Sequence, residues 1–341
     1  MYRGRRRRPR FRAAAGDAGH HPRRTAAARH LAPAQRQRAQ ADCGRARPRR
    51  GRRRDRRGAP PARGRLHRHR RGGRGLIRVE LVKQLFRLRT YIALGVMAFI
   101  PVLLTLAVEF GRRPRDPQEQ SFFAVATASG LNVPLAALTA TSSFLLVVVV
   151  AAFAGAAVSE EANWGSLRYL LVRPVSRSRL LFSKLVVSFV LTLIATIVIT
   201  MAGLVAGVIF FGWHPVLTPS YHAFSQSEAL WKIAVATLYV AWCMSGVIAL
   251  AFMISTMTDT TLGAMGGAVG FVLISHIINA ITTVGSARTL LITHYWDAWE
   301  GMFGRRETTE DLISGVFLQL PYIIVFLALA WWWFHRRDIL S

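Results

Sequence analysis

Six long apolar runs dominate the second part of the chain: Tyr91–Phe110, Leu135–Val158, Leu185–Phe211, Leu230–Met257, Leu262–Thr283 and Ile313–Phe334. Each reaches the ~20 mostly apolar residues that a helix needs to cross a bilayer core. The pattern therefore predicts six spans. The third and fourth runs exceed the core thickness, which predicts tilt or projection beyond the membrane. The second has the weakest start, where Asn132 and Pro134 interrupt it. Ahead of the first run, LIRVELVKQLFRLR places Ile77, Leu81, Leu85 and Leu88 on one helical side and Glu80, Lys83, Gln84 and Arg87 on the other. This stretch is too charged to cross and predicts an amphipathic helix in the interface plane, the alternative being a charged extension of the first span. Between the fifth and sixth runs, Ile292, Trp296, Trp299 and Phe303 share a face opposite Asp297, Glu300 and Gly304. That spacing predicts a short helix on the outer surface, with tryptophan at headgroup depth. The fold class is thus all-α: a polytopic membrane protein of six transmembrane helices behind an N-terminal in-plane helix.

Polar groups inside the runs are costly and informative. Ser188, Thr192, Thr196 and Thr200 recur every four residues in the third run and form one polar stripe. Either they line a pathway, or their hydroxyls bond carbonyls one turn back at little cost. His276 and Asn279 share a face of the fifth run and point into the bundle, as an interhelical bond or as substrate contacts. Thr139, Thr141, Ser142 and Ser143 form a weaker set of the same kind. Gly263, Gly266, Gly267 and Gly270 have small-xxx-small spacing, which lets helices approach closely. Gly203 and Gly207 repeat it. The packed neighbour is either the same chain or a second copy.

The charged segment Glu160–Lys184, EEANWGSLRYLLVRPVSRSRLLFSK, separates the second and third runs. Ser159 is placed to cap a short helix, with Glu160 and Glu161 in its first turn. Leu167, Leu170 and Leu171 give an apolar edge, and Arg168, Tyr169 and Arg173 give polar grips. Pro174 ends that helix. Ser176 caps the next one, whose Arg177, Arg179 and Lys184 lead into the third run. The alternative is an ordinary positive-inside loop.

Charge divides the chain in two. Residues 1–75 hold 27 Arg against 3 Asp, so they carry +24 of the net +28. They lack Ile, Val, Ser, Asn, Glu and Trp, which predicts disorder. Three readings fit this tail: a start site placed too early in GC-rich DNA, contact with anionic lipid, or phosphate binding. It has no aromatic interleaving, and nucleic acid is not an expected partner. With the N-terminus in the cytoplasm, the inner segments carry 11 Lys plus Arg and the outer ones 7, with Arg112, Arg113 and Arg115 against the trend. The closing Trp331-Trp332-Trp333-Phe334, followed by His335-Arg336-Arg337, suits a helix leaving on the cytoplasmic side.

No catalytic constellation stands out. There is no phosphate-binding G-x-x-x-x-G-K-[ST] and no H-E-x-x-H. Cys243-Met244-Ser245-Gly246 and Ser275-His276 come nearest, each without a partner at a recognisable spacing. Cys43 and Cys243 imply neither disulfide nor metal. His294 and Asp297 have ligand spacing but read as structural.

Residues 76–341 resemble the permease subunit of a type 2 ABC transporter. The resemblance rests on Glu160, Glu161, Gly165, Leu167, Leu170, Pro174, Ser176, Arg177 and Lys184, and on Phe334, Arg336, Arg337, Asp338 and Ile339. It implies that the loop after the second span carries a cytoplasmic coupling helix. Its contacts to a separate ATPase would be Glu160, Glu161, Trp164, Gly165, Leu167, Arg168, Tyr169, Pro174, Arg177 and Lys184. It also implies a paired permease and two ATPase copies that hold ATP and Mg; lipid surrounds the spans of a bacterial plasma membrane protein, and the basic bias with six spans places both termini in the cytoplasm. Export is favoured over import, and the substrate is left open. The alternative is a multi-pass scaffold or sensor subunit without an ATPase.

Overall fold

The computed structural model describes residues 72–111, 122–123, 125–163, 177–218, 223–304 and 308–336. Residues 1–71 of the Arg-rich tail lie outside them, and its last four residues, 72–75, open α1. The helices are α1 (Gly72–Leu85), α2 (Leu88–Phe110), α3 (Val133–Ser142), α4 (Leu145–Asn163), α5 (Arg177–Phe211), α6 (Gln226–Met257), α7 (Thr261–Ala280) and α8 (Glu310–Arg336). A two-residue ladder pairs β1 (Val216–Leu217) with β2 (Ala223–Phe224), antiparallel. Irregular and 3-10 backbone fills 282–303, between α7 and α8.

Among the described residues, α2, α5, α6, α7 and α8 are each long and apolar enough to cross a membrane. The second apolar run is not one helix. It is the pair α3 and α4, bent by 59° at a break after Ser142. Pro134 is harmless because it sits in the first turn of α3, where no backbone donor is needed. The break follows hydroxyls instead. Thr139, Thr141 and Ser142 each bond a carbonyl of the preceding turn, on Leu135, Ala137 and Thr139. Such back-bonds compete with the helix ladder and bend it.

Helix α6 is apolar all round and forms the middle of the bundle, with 78% of its spanning stretch buried against 11% for α8 and 17% for α2. Ser225 caps it, accepting from the Glu228 N–H. The N-terminal end of α3 lies hard against the C-terminal end of α5. Gly203 leaves room for Pro134, and a Cβ there would come 2.9 Å from the Pro134 Cα. A Cβ on Gly207 would collide with the Gly130 carbonyl, and Gly130 N–H donates to Gly212 O at 3.0 Å. This glycine pair packs within the chain. The fifth-run glycines behave differently. Among the described residues, Gly267 faces Ile254 of α6, Gly263 meets only neighbouring Thr260, and Gly266 and Gly270 have nothing within 4 Å.

Helix α1 is present, but its faces differ from the sequence expectation. Ile77, Leu81 and Leu85 pack against the bundle core. Glu80 and Gln84 are also drawn inward, while Val79, Val82 and Phe86 stay exposed. Periodicity identified an apolar face and could not say whether lipid or protein covers it.

Candidate functional site

At the end where α4 stops and α5 starts, a small separate core gathers four helix ends. Ala157 and Val158 of α4, Leu181 of α5, Phe252 of α6, and Ala330 and Phe334 of α8 are all buried together. Phe252 and Trp331 rings pack at 6.3 Å. The Ser255 hydroxyl of α6 accepts from the N–H groups of Val158 and Ser159. Ser159 is not a helix cap. It lies inside α4, its hydroxyl donating to Gly155 O at 2.6 Å, and α4 runs on through Glu160 and Glu161 to Asn163.

Beside this core, Lys184 of α5 is 3% exposed and its Nζ lies 3.3 Å from Glu80 Oε1 of α1. Gln84 Nε2 also donates to Glu80, Arg89 Nη2 donates to Gln84 Oε1 at 2.7 Å, and Thr90 Oγ1 donates to the Gln84 carbonyl. Burial alone would raise the Glu80 carboxyl. The charges of Lys184 and Lys83 and the Gln84 bond outweigh it and hold the pKa below 4.5. Lys184 is expected from sequence among the partner contacts; in the structure its ammonium is buried and faces Glu80. Trp164, Gly165, Leu167, Arg168, Tyr169 and Pro174 lie outside the described residues. So do Arg337, Asp338 and Ile339. Glu160, Glu161 and Arg177 are placed by their helices only.

The polar stripe of α5 is buried rather than open. Ser188, Thr192, Thr196 and Thr200 are all buried. Ser188, Thr196 and Thr200 donate to carbonyls one turn back, and Thr200 also meets Thr237 of α6 at 2.9 Å. Back-bonding accounts for three of the four hydroxyls. Thr192 has no partner among the described residues. A groove of about 500 Å³ lies elsewhere, between Ala98 and Val102 of α2 and Val198–Phe210 of α5, and its walls are apolar.

A second polar arrangement surrounds residues 290–303. Four side chains of spanning helices donate to carbonyls of this irregular stretch. Tyr322 reaches Leu290 O at 2.6 Å, Gln319 reaches Ile292 O at 3.0 Å, Tyr239 reaches Tyr295 O at 2.6 Å, and Lys232 reaches Met302 O at 3.1 Å. The stretch closes several turn bonds of its own, such as His294 N–H to Leu291 O and Ala298 N–H to Tyr295 O, and these side chains add donors to carbonyls such as Leu290 and Ile292. Two glycines make the sockets. A Cβ on Gly246 would strike Gln319 and Ile292, and one on Gly315 would strike Tyr239 and Tyr295. Ile292, Trp296, Trp299 and Phe303 do share a face, but that face is fully buried in the bundle. The expected surface helix with tryptophan at headgroup depth is thus corrected to a docked, mostly 3-10 stretch. Phe122 stacks on Trp299 at 5.6 Å, Phe224 and Phe303 meet edge to face at 6.2 Å, and Lys232 Nζ sits 3.6 Å over the Phe224 ring.

His276 and Asn279 turn to this stretch rather than to another span. His276 packs edge-on to Trp296 at 5.2 Å, and Asn279 Oδ1 accepts from His294 Nδ1 at 2.6 Å. Ser275 meets Thr293 at 2.9 Å. Thr139 donates to Glu300 at 3.1 Å. Burial, then the charge of Asp297, push the Glu300 carboxyl above 4.5, against the opposing Thr139 bond. No group of three His, Cys, Asp or Glu suited to a metal occurs among the described residues. Sequence reasoning missed Lys232, Tyr239, Gln319 and Tyr322. The available signal was a lone Lys and a lone Gln inside apolar runs, which need partners.

The profile of a family described as "Protein of unknown function (DUF2705)" matches residues 117–340. The "Uncharacterized protein YhcI" of Bacillus subtilis (strain 168) is 27% identical over 214 residues, covering 57% of this chain. The chain spans 64% of that protein's length, less than two thirds.

Proposed function

We propose, from the premise that the chain belongs to the DUF2705 family of unknown function, that it is the membrane permease subunit of an ATP-driven transporter. In this reading α3 and α4 form one broken span, giving six, and α1 lies in the interface plane. Both termini are cytoplasmic, in a bacterial plasma membrane. Segment 160–184 receives a separate ABC ATPase, which holds the ATP and Mg. A second permease copy completes the assembly, and export is the favoured direction.

One observation carries the reading: the mounting of segment 164–176. Its two arms, α4 and α5, are joined to α6 and α8 by a core of their own. The α5 arm has 35 residues, about 50 Å of helix against a hydrocarbon core of about 30 Å. An arm of that length projects, and a shared core makes its base stiff. A push at 164–176 then moves helix ends together instead of bending one loop. The resemblance of Glu160–Lys184 to a coupling segment supports the same reading.

The test is topological. Ser166→Cys, with Cys43 and Cys243 replaced, should react with a membrane-impermeant maleimide only in inside-out vesicles. Reaction in intact cells would overturn the proposal.

A further inference from the structure

Helix α1 has two apolar sides. At about 100° per residue, Ile77, Leu81 and Leu85 lie on one side, with Glu80 and Gln84 beside them. The bundle covers that side. Val79, Val82 and Phe86 lie on the second side and are 66%, 45% and 74% exposed. Phe86 follows the last residue of α1, and its N–H still donates to Val82 O at 3.1 Å, so it keeps the helical direction. By the same spacing Arg78 flanks this second stripe on one edge and Lys83 on the other, and both are exposed.

Charge separates the two sides further. Glu80 is the sole acid in the sequence of α1, and it is turned inward onto Lys184 at 3.3 Å. The second side therefore carries positive charge and no carboxylate. The corner after α1 fixes its pose. Arg87 is extended, at φ −81° and ψ 134°, and Thr90 Oγ1 donates to Gln84 O at 2.7 Å. Helix α1 thus turns off the line of α2 and does not prolong it. Three exposed apolar side chains are unfavourable in water and favourable among lipid chains. Basic heads on the two rims of that stripe complement headgroup phosphates. A zwitterionic headgroup brings an amine of its own and complements them less well.

We propose that the second side of α1 binds anionic phospholipid. Val79, Val82 and Phe86 enter the acyl chains, and Arg78 and Lys83 meet the headgroup phosphates. This selectivity rests on the reading of α1 as an in-plane helix and adds the lipid class. Because Glu80 holds Lys184, lipid seated on α1 also steadies the base of α5.

Quenching by brominated lipid tests it. The full chain carries Val82→Cys labelled with bimane, with Cys43→Ser and Cys243→Ala, in phosphatidylcholine nanodiscs. Brominated phosphatidylglycerol or brominated phosphatidylcholine is then added at equal fraction. Phosphatidylglycerol should occupy the site at least about fivefold more readily, the factor that one basic residue near an anionic surface confers. Arg78→Gln with Lys83→Gln should erase most of that preference, and Arg288→Gln, between α7 and α8, should keep it. Lys83 also acts on the Glu80 charge, so Arg78→Gln alone, which should lower the preference, guards against a structural loss. The Arg-rich tail is common to all forms and drops out of the comparison. Equal quenching by the two lipids, or a preference that both Arg78→Gln forms retain, overturns the selectivity and leaves the in-plane helix standing. Absence of quenching by either lipid overturns the in-plane reading itself.

Discussion

Lys184 Nζ lies 3.3 Å from Glu80 Oε1, although 104 residues separate the two in sequence. The pair fastens α1 to the base of α5, the arm that leads out of segment 164–176. Both side chains are withdrawn from solvent, 2% and 12% exposed, so the bond is not a screened surface contact. Removing one partner takes away the closest opposite charge from the other, which stays buried. Lys184→Met or Glu80→Gln should each cost about 3 kcal/mol. The swap Glu80→Lys with Lys184→Glu should recover part of that loss. Thermal unfolding in detergent micelles measures both.

The two ends of the molecule should respond to acid in opposite directions. Glu80 has a lowered pKa, so its stabilisation is complete above the unfolded value of 4.5 and is lost as pH falls through the lower folded value. Glu300 has a raised pKa, so its contribution is complete below 4.5 and is lost as pH rises through the higher folded value. Hydrogen exchange should show α1 loosening in acid while 290–303 tightens. Glu300→Gln should abolish the second trend and leave the first.

Glycines that look alike in sequence should separate sharply on substitution. Gly207→Leu forces a side chain into the Gly130 carbonyl and should destabilise by about 3 kcal/mol or more. Gly266→Ala meets nothing within 4 Å and replaces a poor helix former, so it should be neutral or stabilise by up to about 1 kcal/mol. Melting temperatures of the two variants test the contrast. A strongly destabilised Gly266→Ala would show that a second copy packs on that face.

The seat of 290–303 makes a further prediction. Tyr239→Phe removes one of two donors to Tyr295 O, the Ala298 N–H remaining, at about 0.5–1.5 kcal/mol. Gly315→Ala fills the same socket and should cost as much. Both losses should appear as faster exchange confined to 290–303 before any global unfolding.

Much of this architecture was legible because apolar length is a strong signal. Six runs led to five single helices and one broken pair. The break after Ser142 escaped because Thr139, Thr141 and Ser142 sit inside an otherwise continuous run, and hydroxyl back-bonding leaves no periodic trace. The shared face of Ile292, Trp296, Trp299 and Phe303 was visible, but its covering was not: an apolar face looks the same against lipid or protein. The role of Lys184 was out of reach, because a basic residue at a loop boundary fits the positive-inside pattern whatever it pairs with. Only the fold brings Glu80 to it.

The proposed permease needs a separate motor seated on segment 160–184. Affinity purification of the tagged full chain from its own membrane in mild detergent, followed by mass spectrometry, tests it most directly. A Walker-type ATPase should co-purify in comparable amount. Glu160→Lys with Glu161→Lys should lose it while the chain still inserts. Recovery of the chain with no such ATPase, or equal recovery from both forms, would contradict the account.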